Sequence, residues 1–179
     1  MSAELDHVEL ANRNHQALKV LLPTSAEVPE WIATVSFYKA VQVAEAVFSA
    51  QPFCQNSSNH HSRLTSLKDA RLLGGKLATS YNPLMTASML ARYLRADGVR
   101  QSFRDYLPPD RIIDRLVKKR LRTFEQHAVG LLSDEGRDKL VTLDKDPEID
   151  LKSPTGLRPG LGFDMPGKLA RDCGSSVSA

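Results

Sequence analysis

The chain of 179 residues has no run of about 18 apolar residues, the length that a helix needs to cross a bilayer. Its only cysteines, Cys54 and Cys173, stand alone, which excludes the spacings of zinc sites and disulfide frameworks. The N-terminus, MSAELDHVEL, has neither the basic nor the apolar region of a secretory signal. These absences predict a cytoplasmic protein in a reducing compartment, with no membrane partner.

The short motifs that mark many enzymes are also absent. The sequence has no glycine-rich nucleotide loop, no Gly-x-Ser-x-Gly and no acidic or Cys/His cluster that suits a metal ion. Gly74-Gly75-Lys76 is not a phosphate loop, because no strand precedes it. We therefore expect neither a metal nor a cofactor.

No segment shows the sustained alternation of apolar and polar residues that is typical of a strand. Helical spacing recurs instead, and it predicts an all-α fold, an up-and-down bundle of about five helices. The predicted helices cover residues 8–22, 27–50, 64–73, a fourth from Leu77 that starts again at Pro83, and 110–132. Gly74 and Gly75 should break the chain before the fourth helix, since glycine costs roughly 1 kcal/mol inside a helix.

The longest helical pattern, residues 27–50, is apolar on two sides. Its apolar positions form two stripes, Trp31, Val35 and Tyr38 on one and Phe37, Val41, Ala44 and Phe48 on the other. A helix apolar over so much of its circumference must be covered from several directions, so we expect its neighbours to wrap both stripes. Lys39, within this pattern, is interpreted as solvated.

The composition changes at Ser133. From there to the C-terminus the chain holds six of its ten glycines and four of its ten prolines. It has too little periodic apolar content to bury a substantial surface. We therefore predict a helical domain at residues 7–132 and a disordered, flexible tail at 133–179, which would fold on binding a protein partner.

Basic residues are concentrated in one part of the chain. The net charge is +3, but residues 92–122 hold ten Lys/Arg against four Asp/Glu. Such a zone is typical of proteins that bind RNA or nucleotides, and Lys118, Lys119 and Arg122 are its candidate contacts. The alternative is a solvated helix face with partners four residues away.

Three motifs resemble the HEPN superfamily of helical nucleotide-binding domains. The central helix runs WIATVSFYKAVQVAEA, His60 and Arg63 match a loop of the form HxxR, and the third motif consists of Tyr81, Leu84, Ser88, Ala91, Arg92 and Tyr93. The resemblance covers roughly residues 7–132 and implies an all-α homodimer associated with nucleotides or RNA. Gln42 stands where this branch usually has histidine, and an amide cannot act as a base near neutral pH.

Many HEPN proteins are metal-independent RNA-cleaving toxins that use an arginine and a histidine with four to six residues between them. Arg120 and Arg122 both have this relation to His127. Imidazole can move the proton of a ribose 2′-hydroxyl, and guanidinium can hold the phosphate. On an α-helix Arg120 lies nearly above His127, whereas Arg122 lies about 140° away. Arg120 and His127 are thus the candidate catalytic pair, and an incidental histidine on an exposed basic face is the alternative.

A second candidate binding site combines the motif residues with the central helix. Its members are His60, Arg63, Arg92, Tyr93, Tyr38, Gln42 and Glu45. If the bundle packs as the resemblance implies, an arginine there would either grip a phosphate or pair with Glu45. The alternative is a polar network that fixes the register of the helices. Two functions stay open: an RNA- or nucleotide-binding protein, with or without RNA cleavage, and a non-catalytic dimeric adaptor or regulator.

Overall fold

A computed structural model describes residues 3–54, 57, 59–93, 95–96 and 99–149. Its α-helices are α1 (Ala3–Leu21), α2 (Pro29–Ala50), α3 (His60–Ser66), α4 (Lys76–Tyr93), α5 (Phe103–Tyr106), α6 (Arg122–Val129) and α7 (Asp134–Lys139). A π-helical segment, Ile113–Leu121, runs directly into α6, and 3-10 turns lie at Leu22–Thr24, Leu73–Gly75 and Pro109–Arg111. Two short strands, β1 (Arg95–Ala96) and β2 (Val99–Arg100), pair antiparallel.

The prediction of an all-α fold is confirmed. The described residues form more α-helices than the five expected, because α5 and α7 have only four and six residues and carry no periodic pattern. No helix of the described part of the chain is both long and apolar enough to cross a membrane.

Helix α2 lies at the centre of the bundle, where it contacts α1, α4, α6 and the π-helical segment. Its second predicted stripe, which includes Phe37 and Phe48, is buried as expected. The prediction that neighbours cover the first stripe is wrong for the described residues, since Trp31 is 62% exposed and Tyr38 is 37% exposed. The apolar pattern of α2 is thus wider than the surface that its own chain covers.

Backbone geometry explains where α4 begins. Leu73, Gly74 and Gly75 have φ values of 61°, 59° and 82°, so the helical path is interrupted there as predicted. The predicted new start at Pro83 is wrong, because Pro83 lies inside a continuous α4. Its missing N–H leaves the carbonyl of Thr79 without a helical donor, and both residues line one surface cavity.

The prediction of a flexible tail from Ser133 is wrong as far as Ile149. Ser133 caps α7, and its N–H donates to the carboxylate of Glu4 on α1 at 2.9 Å. Leu140, Leu143 and Ile149 are buried against the bundle. These apolar anchors were not recognised because they are spaced irregularly along turns, without a helical period. Residues 150–179, the rest of the predicted tail, lie outside the described residues.

Candidate functional site

The wide turn of the π-helical segment gathers three basic side chains on one face. A π-helix forms its hydrogen bonds five residues apart, so residues separated by four or five positions lie close together. Arg115, Lys119 and Arg120 have this spacing, and they line one surface cavity of about 380 Å³. Its other lining residues are Pro83, Tyr106, Leu107 and Leu116. Arg115 is absent from the site predicted from sequence, because that prediction takes residues 110–132 to be an α-helix.

A second cavity, of about 260 Å³, shares Lys119 and Arg120 with the first. The rest of its lining comes from Lys76, Thr79 and Ser80 of α4 and from Thr123 and His127 of α6. Because the two cavities have a common wall, we treat them together as the basic groove. Among the residues that the structure describes, no acidic side chain lines either cavity.

The basic groove holds both members of the candidate catalytic pair. Arg120 and His127 are half-buried and line the second cavity together. The Nδ1 atom of His127 is buried and has no hydrogen-bond partner among the described residues. Arg122 lines neither cavity, and its Nε donates to Asp144 at 2.7 Å. The structure therefore brings His127 together with Arg120 and gives Arg122 a different partner.

Ion pairs divide the six basic residues of 111–122 into two groups. Arg111, Lys118 and Arg122 pair with Asp110, Asp114 and Asp144 at 3.3, 2.8 and 2.7 Å. Arg115, Lys119 and Arg120 have no carboxylate within 4.0 Å among the described residues. Of the three contacts predicted from sequence, Lys118 and Arg122 are therefore matched by acids, whereas Lys119 faces the groove.

The second predicted cluster divides into a buried and an exposed part. In the buried part, Arg63 Nε donates to Glu45 at 2.6 Å, and its Nη1 lies 3.0 Å from His60 Nδ1 and 3.5 Å from the hydroxyl of Tyr81. Burial lowers the pKa of His60, and the charges of Arg63 and Arg92 lower it further. Since Glu45 matches the charge of Arg63, this part has the properties of a polar network between helices.

The exposed part is built around Arg92, whose Nη1 donates to the hydroxyls of Tyr38 and Tyr93 at 2.9 and 3.3 Å. The guanidinium also lies 5.3 and 4.8 Å from the centres of these two rings. Trp31 lies two turns before Tyr38 on the same side of α2. We call Trp31, Tyr38, Arg92 and Tyr93 the aromatic surface. Gln42 contacts neither part of the cluster through its side-chain oxygen, because its Oε1 lies 2.8 Å from Nδ1 of His7 on α1.

Lys39 belongs to a buried charge cluster that its sequence context does not predict. The interpretation of Lys39 as solvated is wrong, because its side chain is 0% exposed and its ammonium forms an ion pair with Glu125. The ammonium also donates to His15 Nδ1 at 2.6 Å and to the carbonyl of Val141 at 3.0 Å. On the other side of the ring, His15 Nε2 lies 2.7 Å from Asp146. Because Nδ1 accepts from Lys39, neutral His15 carries its proton on Nε2 and donates it to Asp146.

Burial dominates the electrostatics of this cluster. It lowers the pKa of His15 to about 4, and the charge of Lys39 acts in the same direction. It also lowers the pKa of Lys39 and raises that of Glu125, while the ion pair between them opposes both shifts. No member of the cluster lines the basic groove. The cluster joins α1, α2 and α6 to residues 141–146.

Among the described residues, no group of three or more His, Cys, Asp or Glu side chains is arranged to hold a metal ion. Comparison of the chain with protein-family models, curated proteins and solved structures finds no match. The features of this chain that bear on function are therefore the geometry and charge of the basic groove and the aromatic surface.

Proposed function

We propose that this chain is a HEPN-like helical protein that binds single-stranded RNA or a nucleotide through the basic groove. The observation that carries the proposal is a groove lined by Arg115, Lys119 and Arg120. In the described part of the chain, no carboxylate pairs with these three side chains and no acidic side chain lines the groove. A phosphate can enter such a groove without displacing a bound carboxylate, and the positive field attracts it. The motif resemblance to HEPN proteins supports the same ligand class.

Arg120 and His127 have the side chains that cleavage of RNA in this groove would use. His127 would remove the proton of a ribose 2′-hydroxyl, and the resulting oxygen would attack the adjacent phosphorus. The bond from phosphorus to the 5′-oxygen then breaks, and that oxygen leaves with a proton from water. The products are a 2′,3′-cyclic phosphate and a free 5′-hydroxyl. Arg120 would hold the phosphoryl oxygens as their charge increases.

Binding is tested by the salt dependence of fluorescence anisotropy with a labelled single-stranded RNA. Each phosphate that the protein neutralises contributes roughly 0.7 to the slope of log affinity against log salt. Replacing Arg115, Lys119 and Arg120 together with glutamine should therefore reduce the slope by about 2 and weaken binding at least tenfold. Glutamine is a good helix former, so the helices should persist in circular dichroism.

The chain offers a matched control for this variant. Replacing Arg111, Lys118 and Arg122 with glutamine removes the same formal charge from the same part of the chain, but these side chains are paired with acids. The control should change the slope much less. Equal slopes for the two variants would mean that RNA responds to overall charge, and an unchanged slope in the groove variant would refute binding at the groove.

Cleavage is tested separately with His127→Ala. This variant should bind RNA within about twofold of the wild type, because Arg115, Lys119 and Arg120 still line the groove, yet release no 2′,3′-cyclic phosphate. His61→Ala, at an exposed histidine, is the control and should keep the activity. Absence of cleavage by the wild-type protein under conditions of full binding would refute the catalytic part and leave the binding part standing.

The aromatic surface favours a second function, that of a non-catalytic dimeric adaptor or regulator. Trp31 and Tyr93 are 62% and 61% exposed, and aromatic residues with an arginine are enriched where proteins associate. A second copy of the chain would cover them in the homodimer that the resemblance implies. Sedimentation equilibrium should then show a dimer that Trp31→Ala weakens, and a monomer at micromolar concentration would contradict this function. A protein partner for residues 150–179 stays a prediction.

A further inference from the structure

The first cavity of the basic groove has an apolar side that phosphate binding does not use. Leu107 and Leu116 are buried beneath it, and Pro83 and the half-buried ring of Tyr106 border it. Its volume of about 380 Å³ falls in the range of small-molecule sites. A site for phosphate alone would have no need of four apolar or aromatic lining residues.

Tyr106 lines the cavity together with the apolar residues Leu107 and Leu116 and with the basic residues Lys119 and Arg120. Burial raises the pKa of the Tyr106 hydroxyl, and the positive charge of Arg120 opposes that rise. Lys119 and Arg120 in turn form the wall shared with the second cavity. An aromatic ring, a pair of cations and the imidazole of His127 therefore follow one another along the groove.

We propose that the apolar side of the first cavity receives a nucleobase, while the phosphate on the 5′ side of that nucleotide lies on Lys119 and Arg120 and the ribose of the preceding nucleotide faces His127. This inference rests on the proposed function and narrows its ligand to a base-bearing one, a nucleotide or single-stranded RNA, in preference to other polyanions. Stacked and paired bases of a duplex cannot enter such a cavity without unstacking. Contact with an aromatic ring changes affinity roughly fivefold to 150-fold per base, so the preference is measurable.

The experiment compares two labelled probes of equal length and charge on the full chain. One is a single-stranded RNA octamer, and the other is the same ribose-phosphate chain without bases. The wild-type protein should bind the RNA at least fivefold more tightly than the abasic chain. Tyr106→Ala should lower the affinity for RNA at least fivefold and leave the affinity for the abasic chain within twofold. Tyr106→Phe keeps the ring and should behave as the wild type.

Two further outcomes separate this inference from the proposed function. If the wild type binds both probes equally, and replacing Arg115, Lys119 and Arg120 with glutamine weakens both, the groove binds phosphate without recognising bases and the inference is overturned. If that replacement weakens neither probe, the proposed function itself fails, and the inference fails with it. The wild-type comparison needs no variant, so it decides the question even if Tyr106→Ala does not fold.

Discussion

Replacing Lys39 with methionine should destabilise the protein far more than a surface substitution. Methionine keeps the long apolar stem, but it leaves the carboxylate of Glu125, which is 1% exposed, without a cation. Removal of one partner from a buried ion pair costs about 3–5 kcal/mol, because the other charge stays buried and unmatched. His15 Nδ1 and the Val141 carbonyl lose a donor through the same change. We therefore expect the free energy of unfolding to fall by about 3–5 kcal/mol at pH 7.

The pH dependence of this loss should identify Glu125 as its cause. Without Lys39, burial raises the pKa of Glu125 unopposed by a nearby cation, and its ordinary value is 4.5. A carboxyl group with a raised folded-state pKa stabilises the fold below its unfolded pKa, and this contribution is lost as the pH rises through the folded pKa. The difference between Lys39→Met and the wild type should therefore be smallest below pH 4.5 and largest near neutral pH.

A second substitution should reverse most of the loss. In the double variant with Glu125→Gln, position 125 no longer carries a charge and keeps an oxygen for the N–H of Leu143, which donates to Glu125 at 2.8 Å in the wild type. The free energies come from urea unfolding followed by circular dichroism. Lys68→Met, at an exposed lysine, is the control and should change stability by less than about 0.5 kcal/mol. A loss below about 1 kcal/mol for Lys39→Met, or strict additivity in the double variant, would refute the buried pair.

Three further outcomes are expected. A chain that ends at Leu132 should melt roughly 10 °C or more below one that ends at Ile149, because it loses three buried apolar side chains. Equal melting temperatures would show that residues 133–149 do not pack against the helices. The free energy of unfolding should fall by up to about 3 kcal/mol between pH 7 and pH 4, because the unfolded chain protonates histidine near 6.5 whereas folded His15 has a pKa of about 4. His15→Gln should remove most of this slope, and an unchanged slope would assign the titration to another group. Glu45→Ala should lower the free energy of unfolding by about 3 kcal/mol or more, because it leaves the buried Arg63 without its partner. The control Glu9→Ala, at an exposed glutamate, should lower it by less than about 0.5 kcal/mol. Similar losses for the two variants would contradict the burial of Glu45.

Local patterns predicted the parts of the fold that depend on local interactions. The spacing of apolar residues identified α2, and Gly74-Gly75 marked the break before α4. The exposed stripe of α2 was not predictable, because Trp31 and Tyr38 look the same in sequence whether their partner belongs to the same chain or to another molecule. Packing also allowed α4 to continue through Pro83, which sequence rules treat as a boundary.

The candidate site depends on contacts between distant parts of the chain, and sequence spacing predicted only some of its members. No residue type signals the π-helical turn that brings Arg115 beside Arg120, so that neighbour was missed. The buried position of Lys39 depends on Glu125, which lies far along the chain on another helix. A lysine within an apolar pattern is normally solvated, and only its partner distinguishes the exception.

Residues 143 and 144, in the segment predicted to be a tail, hold α6, the helix that carries His127, in place. On one side of α6, Asp144 accepts hydrogen bonds from Arg122 and Gln126 at 2.7 and 2.8 Å, and Glu125 accepts from the N–H of Leu143. Another side of the same helix presents His127 to the basic groove. A rotation of α6 that separated His127 from the groove would have to break these contacts together. The position of the candidate base is therefore set by residues outside any Arg/His motif. The motif alone fits Arg122 as well as Arg120, and the pairing of Arg122 with Asp144 agrees with helix geometry in favouring Arg120.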